Sequence, residues 1–272
     1  MSRHVLEALG KARVIVEDGK VVEVGDPQID YCPVFKRHRN IDQFDKEAIR
    51  KSIEFRIQDF GMCCEGRQMR MDDFLSFGVS ELIRLGIERE YLDGAVMVCD
   101  GAGSCLVDDP AMVQGVGGRV SGIIETEPID SVIEALGADN VLNPKTGDID
   151  QFSMTGKAFQ MGYRKLAVTV TEAQDACMIR DAYGPFVRIF AVHCTGVNRQ
   201  DAEMLFDNCD VVTSCASRPL RDVGAKRALL QAGTRIPIYA ATEFGKMLIE
   251  ERLEQIDRKA ATGEDDPPRP TI

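Results

Sequence analysis

Thiol, imidazole and hydroxyl side chains recur in this chain at one kind of place, the residue where a short apolar run gives out. AVMVC from Ala95 stops at Cys99 and Asp100, VRIFAVH from Val187 ends on His193 with Cys194 and Thr195 behind it, and DVVTSC from Asp210 ends on Ser214 and Cys215, just ahead of Ser217. A further run, IPIYAA from Ile236, meets Thr242. An imidazole within hydrogen-bond reach of a thiol can take its proton and leave a nucleophilic thiolate. Cys99, Cys215 and His193 are therefore the candidate catalytic residues, either cysteine as nucleophile and His193 as base. The same positions suit a plainer role, because chains turn polar where they leave a core, threonines cap helices, and free cysteine is commonly buried.

Glycine-rich stretches adjoin this set. DGAGS contributes Asp100, Gly101, Gly103 and Ser104, and VQGVGGRVSG contributes Gly117, Gly118 and Arg119. Glycine lets backbone N–H groups come close to an anion. With the hydroxyls of Thr195, Ser214, Ser217 and Thr242, these residues form the candidate binding set for a small anionic ligand; as structure alone they are turns and caps. Leu106 stands where G-x-G-x-x-G needs its last glycine, and no G-K-[ST] occurs, which argues against a dinucleotide or P-loop nucleotide.

Thiolates also hold soft metals. Cys32 in YCP and Cys63 in GMCCEGR, taken with Cys99 and Cys215, are the candidate ligands for an iron-sulfur cluster or another thiolate-bound metal. There is no C-x-x-C pair, so the fold itself would have to gather the four. Between residues 31 and 70, nine Lys/Arg oppose six Asp/Glu, and a positive neighbourhood lowers a thiol's pKa. At least one sulfur of the glycine-flanked Cys63-Cys64 pair is expected to be accessible. Cys177, between Ala176 and Met178, reads as a core residue.

The elements that must position these groups are legible from pattern. VIVEDGKVVEV over residues 14–24 is a hairpin turning at Asp18-Gly19. A helix follows from about Asp45 to Phe60, with Ile49, Ile53 and Ile57 on one face and Gly61 as its stop, and a second is expected from Asp72 to Leu85. From Gly94 the apolar runs AVMVC, LAVTV, VRIFAVH, DVVTSC and IPIYAA, with RVSGII as a weaker sixth, alternate with helices opened at Asp109-Pro110, Pro128, Thr171, Asn198 and Thr242. The fold class is α/β: a mostly parallel, Rossmann-like βα-repeat sheet behind an N-terminal β-hairpin and helical subdomain. The expected divisions are 1–92 for the hairpin and helices, 93–257 for the α/β domain with thiol-lined strand ends, and 258–272 for a polar, proline-rich, disordered tail. In such a sheet a ligand crevice lies beyond the carboxyl ends of the strands.

The formal charge of −11 disfavours nucleic acid and anionic membrane as partners, since both repel an acidic surface. No apolar run reaches spanning length, and nine scattered cysteines fit a reducing compartment, so a cytoplasmic location is expected.

At VIVEDGKVVEVGDPQIDYCPVFKRHRN, IEFRIQDFGMC, RMDDFLSFGVSE, AVMVCDGAGS, VQGVGGRVSG, ALLQAG and IPIYAAT the sequence resembles the methanogenesis marker protein 8 family, from about Ser2 to Ile256. The resemblance implies an anaerobic cytoplasm and a connection with methyl-coenzyme M reductase-related proteins, or with one-carbon or thiol-cofactor metabolism. It brings no established catalytic residues. The leading expectation is an accessory or maturation protein of anaerobic one-carbon metabolism that binds a metal, an iron-sulfur centre or a small sulfur-containing anion. Alternatives are an enzyme of thiol or sulfonate cofactor metabolism with a cysteine nucleophile, and a scaffold that binds another protein.

Overall fold

The computed structural model describes residues 2–73, 77–118 and 122–272, and among them it has two sheets and ten α-helices. The chain begins with β1 (Arg3–Glu7), β2 (Arg13–Glu17) and β3 (Lys20–Val24), then α1 (Pro33–Arg39), α2 (Lys46–Phe60) and α3 (Val79–Glu88). A hairpin of β4 (Gly94–Cys99) and β5 (Gly103–Val107) leads to α4 (Pro110–Gly117), β6 (Gly122–Thr126), α5 (Asp130–Leu136) and α6 (Gln151–Gln160). Strand–helix pairs follow: β7 (Leu166–Val170) with α7 (Ala173–Tyr183), β8 (Val187–Ala191) with α8 (Arg199–Asn208), and β9 (Val211–Thr213) with α9 (Arg218–Arg227). The last elements are β10 (Leu230–Ala232), β11 (Ile238–Ala240) and α10 (Glu243–Gln255). None of the described helices is long and apolar enough to cross a membrane.

The larger sheet has the order β10-β11-β9-β8-β7-β4-β5. Its middle strands β9, β8, β7 and β4 are parallel, but β5, β11 and β10 are added antiparallel at the edges. The sheet is mixed, which corrects the expectation of a mostly parallel, Rossmann-like one. Two local events cause this. Gly101 and Gly103, at φ 84° and 76°, let β4 fold straight back onto β5 where only a loop leading to the Asp109-Pro110 helix was expected, and β11 is reached from β10 by a turn with no intervening helix.

The smaller sheet, β3-β2-β1-β6, is antiparallel throughout. Its hairpin turns at Asp18-Gly19, both in the left-handed region, as the sequence indicates. Its fourth strand, β6, comes from RVSGII, which was expected in the main sheet; it crosses the anticipated boundary at residue 92 to pair with β1.

This strand fixes how the sheets meet. At one end Thr126 Oγ1 accepts the Gly101 N–H at 2.7 Å, just beyond the end of β4. At the other, a Cβ placed on Gly122 would lie 3.5 Å from His193 Cγ, just beyond the end of β8. The β1-β6 pair is thus laid across the carboxyl edge of the parallel strands. A buried ion pair adds a second tie: Arg67 Nε contacts both Asp100 oxygens at 3.1 Å, and both side chains are fully shielded from solvent.

Local signals predict the helices well where a cap is present. Asp45, Asp109, Asn198 and Thr242 each accept an N–H from the first turn of α2, α4, α8 and α10. The helix expected from Asp72 begins instead at Val79; Phe74 and Leu75 of that expectation lie outside the described residues. Residues 258–272, expected as a disordered tail, follow a defined path against the fold, with main-chain hydrogen bonds to Gln231, Tyr31, Ala216 and Arg218.

Candidate functional site

AVMVCDGAGS is closed by the protein itself. A Cβ on Gly103 would stand 2.3 Å from the Gly147 oxygen, and one on Gly101 would stand 3.0 Å from Ile129. The glycines therefore admit neighbouring segments of this chain. Ser104 Oγ donates to Gln151 Oε1 and accepts from Asp150 N–H. Asp100 neutralises Arg67 and accepts the Cys63 N–H at 2.6 Å. Cys99 is sealed in the core, and burial, followed by the Asp100 charge, pushes its thiol well above the ordinary range. Asp100, Gly101, Gly103 and Ser104 thus build a joint between segments, and Cys99 sits behind it.

A second group of candidate residues lies further along the same edge, beyond β8 and β9. His193 and Cys215, at φ 54° and 43°, are left-handed non-glycine residues at the ends of neighbouring parallel strands. That backbone is disfavoured for L-residues and concentrates where a side chain must be aimed. Water reaches His193, yet burial, with the charge of Arg56 second, lowers its pKa to about 4. The exposed ring of His193 and the glycine packed against it form the candidate recess. Gly122 contributes to it: its hypothetical Cβ would lie 3.3 Å from the Cβ of Glu7, its cross-strand partner, and 3.5 Å from His193 Cγ, so a glycine lets the imidazole approach the β1-β6 pair beside Glu7.

Burial is also the main reason the Glu7 pKa is raised; Lys11 opposes the shift and Glu172 adds to it. With the imidazole at about 4 and the carboxyl above its usual 4.5, the ordinary order of imidazole and carboxylate proton affinities is reversed. Lys11 Nζ donates to Thr195 O at 2.6 Å, and Thr195 Oγ1 accepts the Ala216 N–H at 3.3 Å, which joins β1's exit to the loops after β8 and β9. Cys215 is half-buried; burial raises its thiol to about 11, opposed by a hydrogen bond from the Cys194 backbone, with Cys32 among its electrostatic neighbours. At neutral pH the recess presents a neutral imidazole and neutral thiols. It is equipped for hydrogen bonding and proton exchange, not for thiolate attack.

The candidate metal ligands are divided. Cys63 and Cys99 lie around Asp100 and Arg67, whereas Cys32 and Cys215 lie together at the recess. Among the described residues no group of three or more His, Cys, Asp or Glu could hold a metal ion. This corrects the single four-cysteine set. Cys63 is sealed and Cys64 half-buried, and both thiols are raised by burial and then by Asp100, so the basic composition of the region does not activate them. Cys177 is half-buried, not core, with Sγ 3.7 Å from Asp181.

The remaining candidates separate by role. Ser214 Oγ donates to the Pro237 oxygen, and Ser217 caps α9. Thr242 caps α10 and donates to Asp210 Oδ1 at the opposite edge, because β11 is antiparallel and its carboxyl end points away from the recess. Gly117 packs against Met97 and Gly118 against Gln114, while Arg119 lies outside the described residues. Sequence reasoning missed Glu7, Lys11 and Arg221. Each belongs to an ordinary strand end, turn or helix, and only the crossing of β1 over the carboxyl edge makes Glu7 notable.

Over residues 4–254 the chain matches the family described as "uncharacterized protein conserved in archaea (DUF2099)". It is 42% identical to an uncharacterized protein of Methanocaldococcus jannaschii, MJ0054, over an alignment that covers 100% of both chains. No solved structure matches it at a significant level.

Proposed function

Starting from the fact that the chain belongs to this archaeal family, we propose that it binds a small molecule in the recess beyond β8 and β9 and exchanges protons with it through Glu7 and His193. The carrying observation is the meeting of Glu7, Gly122 and His193, a carboxylate residue paired across the sheet with the glycine on which the imidazole packs, with the pKa of the carboxyl raised and that of the imidazole lowered. A carboxyl that holds its proton more tightly and an imidazole kept neutral are suited to the parts of general acid and general base. Cys215 and Cys32 line the recess as uncharged thiols, and their softness favours a ligand with sulfur or apolar character. This is the small-molecule enzyme alternative with the nucleophile's part removed.

Membership of the methanogenesis marker protein 8 family, an accessory role in anaerobic one-carbon metabolism and a cytoplasmic location are carried within the same proposal. The quoted sequence strings support the first two, and nine free cysteines support the third.

Thermal-shift screening of small carboxylates, thiols and thioethers under anaerobic conditions tests the reading. Ligands that stabilise the wild type are expected to lose their effect in Glu7→Gln, His193→Ala and Gly122→Val, and to keep it in Cys99→Ala. Equal shifts in all four variants would place binding elsewhere and overturn the proposal.

A further inference from the structure

Residues 258–272 form a strap from the β10 edge of the large sheet to the recess. Ala261 N–H donates to Gln231 O at 2.9 Å, and Gln231 Nε2 donates to Gly263 O at 2.8 Å. Further along, Tyr31 OH donates to Asp266 at 2.6 Å, and Arg269 pairs antiparallel with Tyr31, its guanidinium 4.2 Å from the ring centre. Ile272 N–H then donates to Ala216 O at 2.8 Å, its main-chain oxygen accepts from Arg218 N–H at 3.0 Å, and its side chain lies near Gly196, beside Lys11. The strap therefore passes over the residues next to both Cys32 and Cys215.

Under it lies Arg221 of α9, 1% exposed. Its Nη2 donates to the main-chain oxygens of Cys215 and Arg235 at 2.7 and 2.8 Å. Nε has no hydrogen-bond partner, and Nη1 meets only the Glu264 carboxylate, at 3.3 Å, without the geometry of a hydrogen bond. A buried guanidinium with open N–H groups is costly unless an anion completes it. Glu264 supplies half of that: its side chain is 30% exposed, and it reaches in from a segment otherwise held largely by main-chain contacts.

We propose that Arg221, flanked by Cys32 and Cys215, is an anion subsite of the recess, that Glu264 of the strap occupies it, and that the oxyanion of a small molecule, carboxylate or phosphate, replaces Glu264 as the strap lifts. This rests on the reading of the recess as a small-molecule site and deepens it by giving the ligand a charged end. The neutral imidazole and the thiols take the uncharged portion, and Arg221 the anionic one. Lifting of the strap also widens the solvent access that half-buried Cys215 already has.

The test is timed iodoacetamide labelling of full-length protein at Cys215 and Cys32, followed by peptide mass spectrometry, with acetate, inorganic phosphate or chloride at matched ionic strength. Loss of one partly exposed ion pair from the strap predicts roughly fivefold faster labelling in Glu264→Ala. Acetate or phosphate, seated on Arg221 beside the two thiols, should slow that labelling again in Glu264→Ala but not in the double variant Glu264→Ala/Arg221→Lys, and chloride should not. Protection by acetate alone identifies a carboxylate, and by phosphate alone a phosphate. Unchanged labelling in Glu264→Ala, equal protection by chloride, or protection that persists in Glu264→Ala/Arg221→Lys overturns the proposal. Should the double variant fail to fold by circular dichroism, the three salts on Glu264→Ala decide. His193→Ala separates the two readings: anion protection that survives there while screened ligands lose binding supports both, unchanged Glu264→Ala labelling with His193-dependent ligands leaves only the recess, and the converse leaves only the subsite.

Discussion

Asp100 stands at the end of an apolar run beside a thiol and two glycines, and the structure makes it the counter-ion of Arg67 at the joint between the two sheets. Asp100→Ala would leave the guanidinium with only the Gln68 and Gly115 oxygens, at 2.7 Å each, and the Cys63 N–H with no acceptor. Breaking a buried pair from one side costs about 3–5 kcal/mol, because an uncompensated charge stays in the interior. Neither side chain is solvent-exposed, so screening does not reduce this. Asp100→Asn should cost less, since an acceptor for Cys63 remains. The double variant Arg67→Met/Asp100→Leu should be less destabilised than the sum of its singles by at least about 1 kcal/mol, because both charges leave together. Urea unfolding of each variant, followed by far-UV circular dichroism, gives the cycle. If Asp100→Ala costs under about 1 kcal/mol, or if the singles add, Asp100 is not a structural counter-ion and its place as a ligand-binding residue is restored.

Other expectations follow from the same contacts. The His193 imidazole, lowered to about 4 from its usual 6.5, should stay neutral at pH 5.5 in a histidine NMR titration; a midpoint near 6.5 would remove the recess. Because the folded value is the lower one, stability is retained above pH 6.5 and declines from there toward pH 4 as unfolded chains take up the proton; His4, lowered mainly by burial, acts in the same direction, and His193→Gln should lessen the decline. Gly103→Ala should cost about 1–3 kcal/mol in urea unfolding, since its Cβ would meet the Gly147 oxygen at 2.3 Å on a backbone of φ 76°; a neutral substitution would mean that the hairpin turn is loosely packed. Cys63, Cys99 and Cys105 should be alkylated only as fast as the protein unfolds, and Cys64 sooner; early labelling of Cys99 would reopen it as a site residue.

What the sequence discloses divides by range. The Asp18-Gly19 hairpin, the Ile49/Ile53/Ile57 face of α2 and the caps at Asp45, Asp109, Asn198 and Thr242 are decided within a few residues of themselves, so their types and spacing suffice. Strand direction is not decided locally. IPIYAA reads the same whether it joins parallel or antiparallel, and its direction carried Thr242 to the far edge. The destination of RVSGII was equally hidden, since nothing near Gly122 announces that β6 pairs with β1.

The fates of Cys99 and Cys215 follow from that long-range step. Both close an apolar run and both precede a polar turn, so as text they are equivalent. After β4 the glycines permit a hairpin, β5 and the 147–148 segment fill the space ahead, and the sulfur is sealed. After β9 the chain enters α9 through a left-handed residue, with Cys215 half-buried where the Glu7 end of β1 passes. The carboxyl edge of this sheet is therefore divided by what is laid across it. Under Thr126 it is a packed joint held by Arg67 and Asp100, and beside Gly122, where the covering strand lacks a side chain, the exposed imidazole of His193 packs against it. Chemistry at this edge depends less on which strand ends carry reactive atoms than on what β6 lays above them.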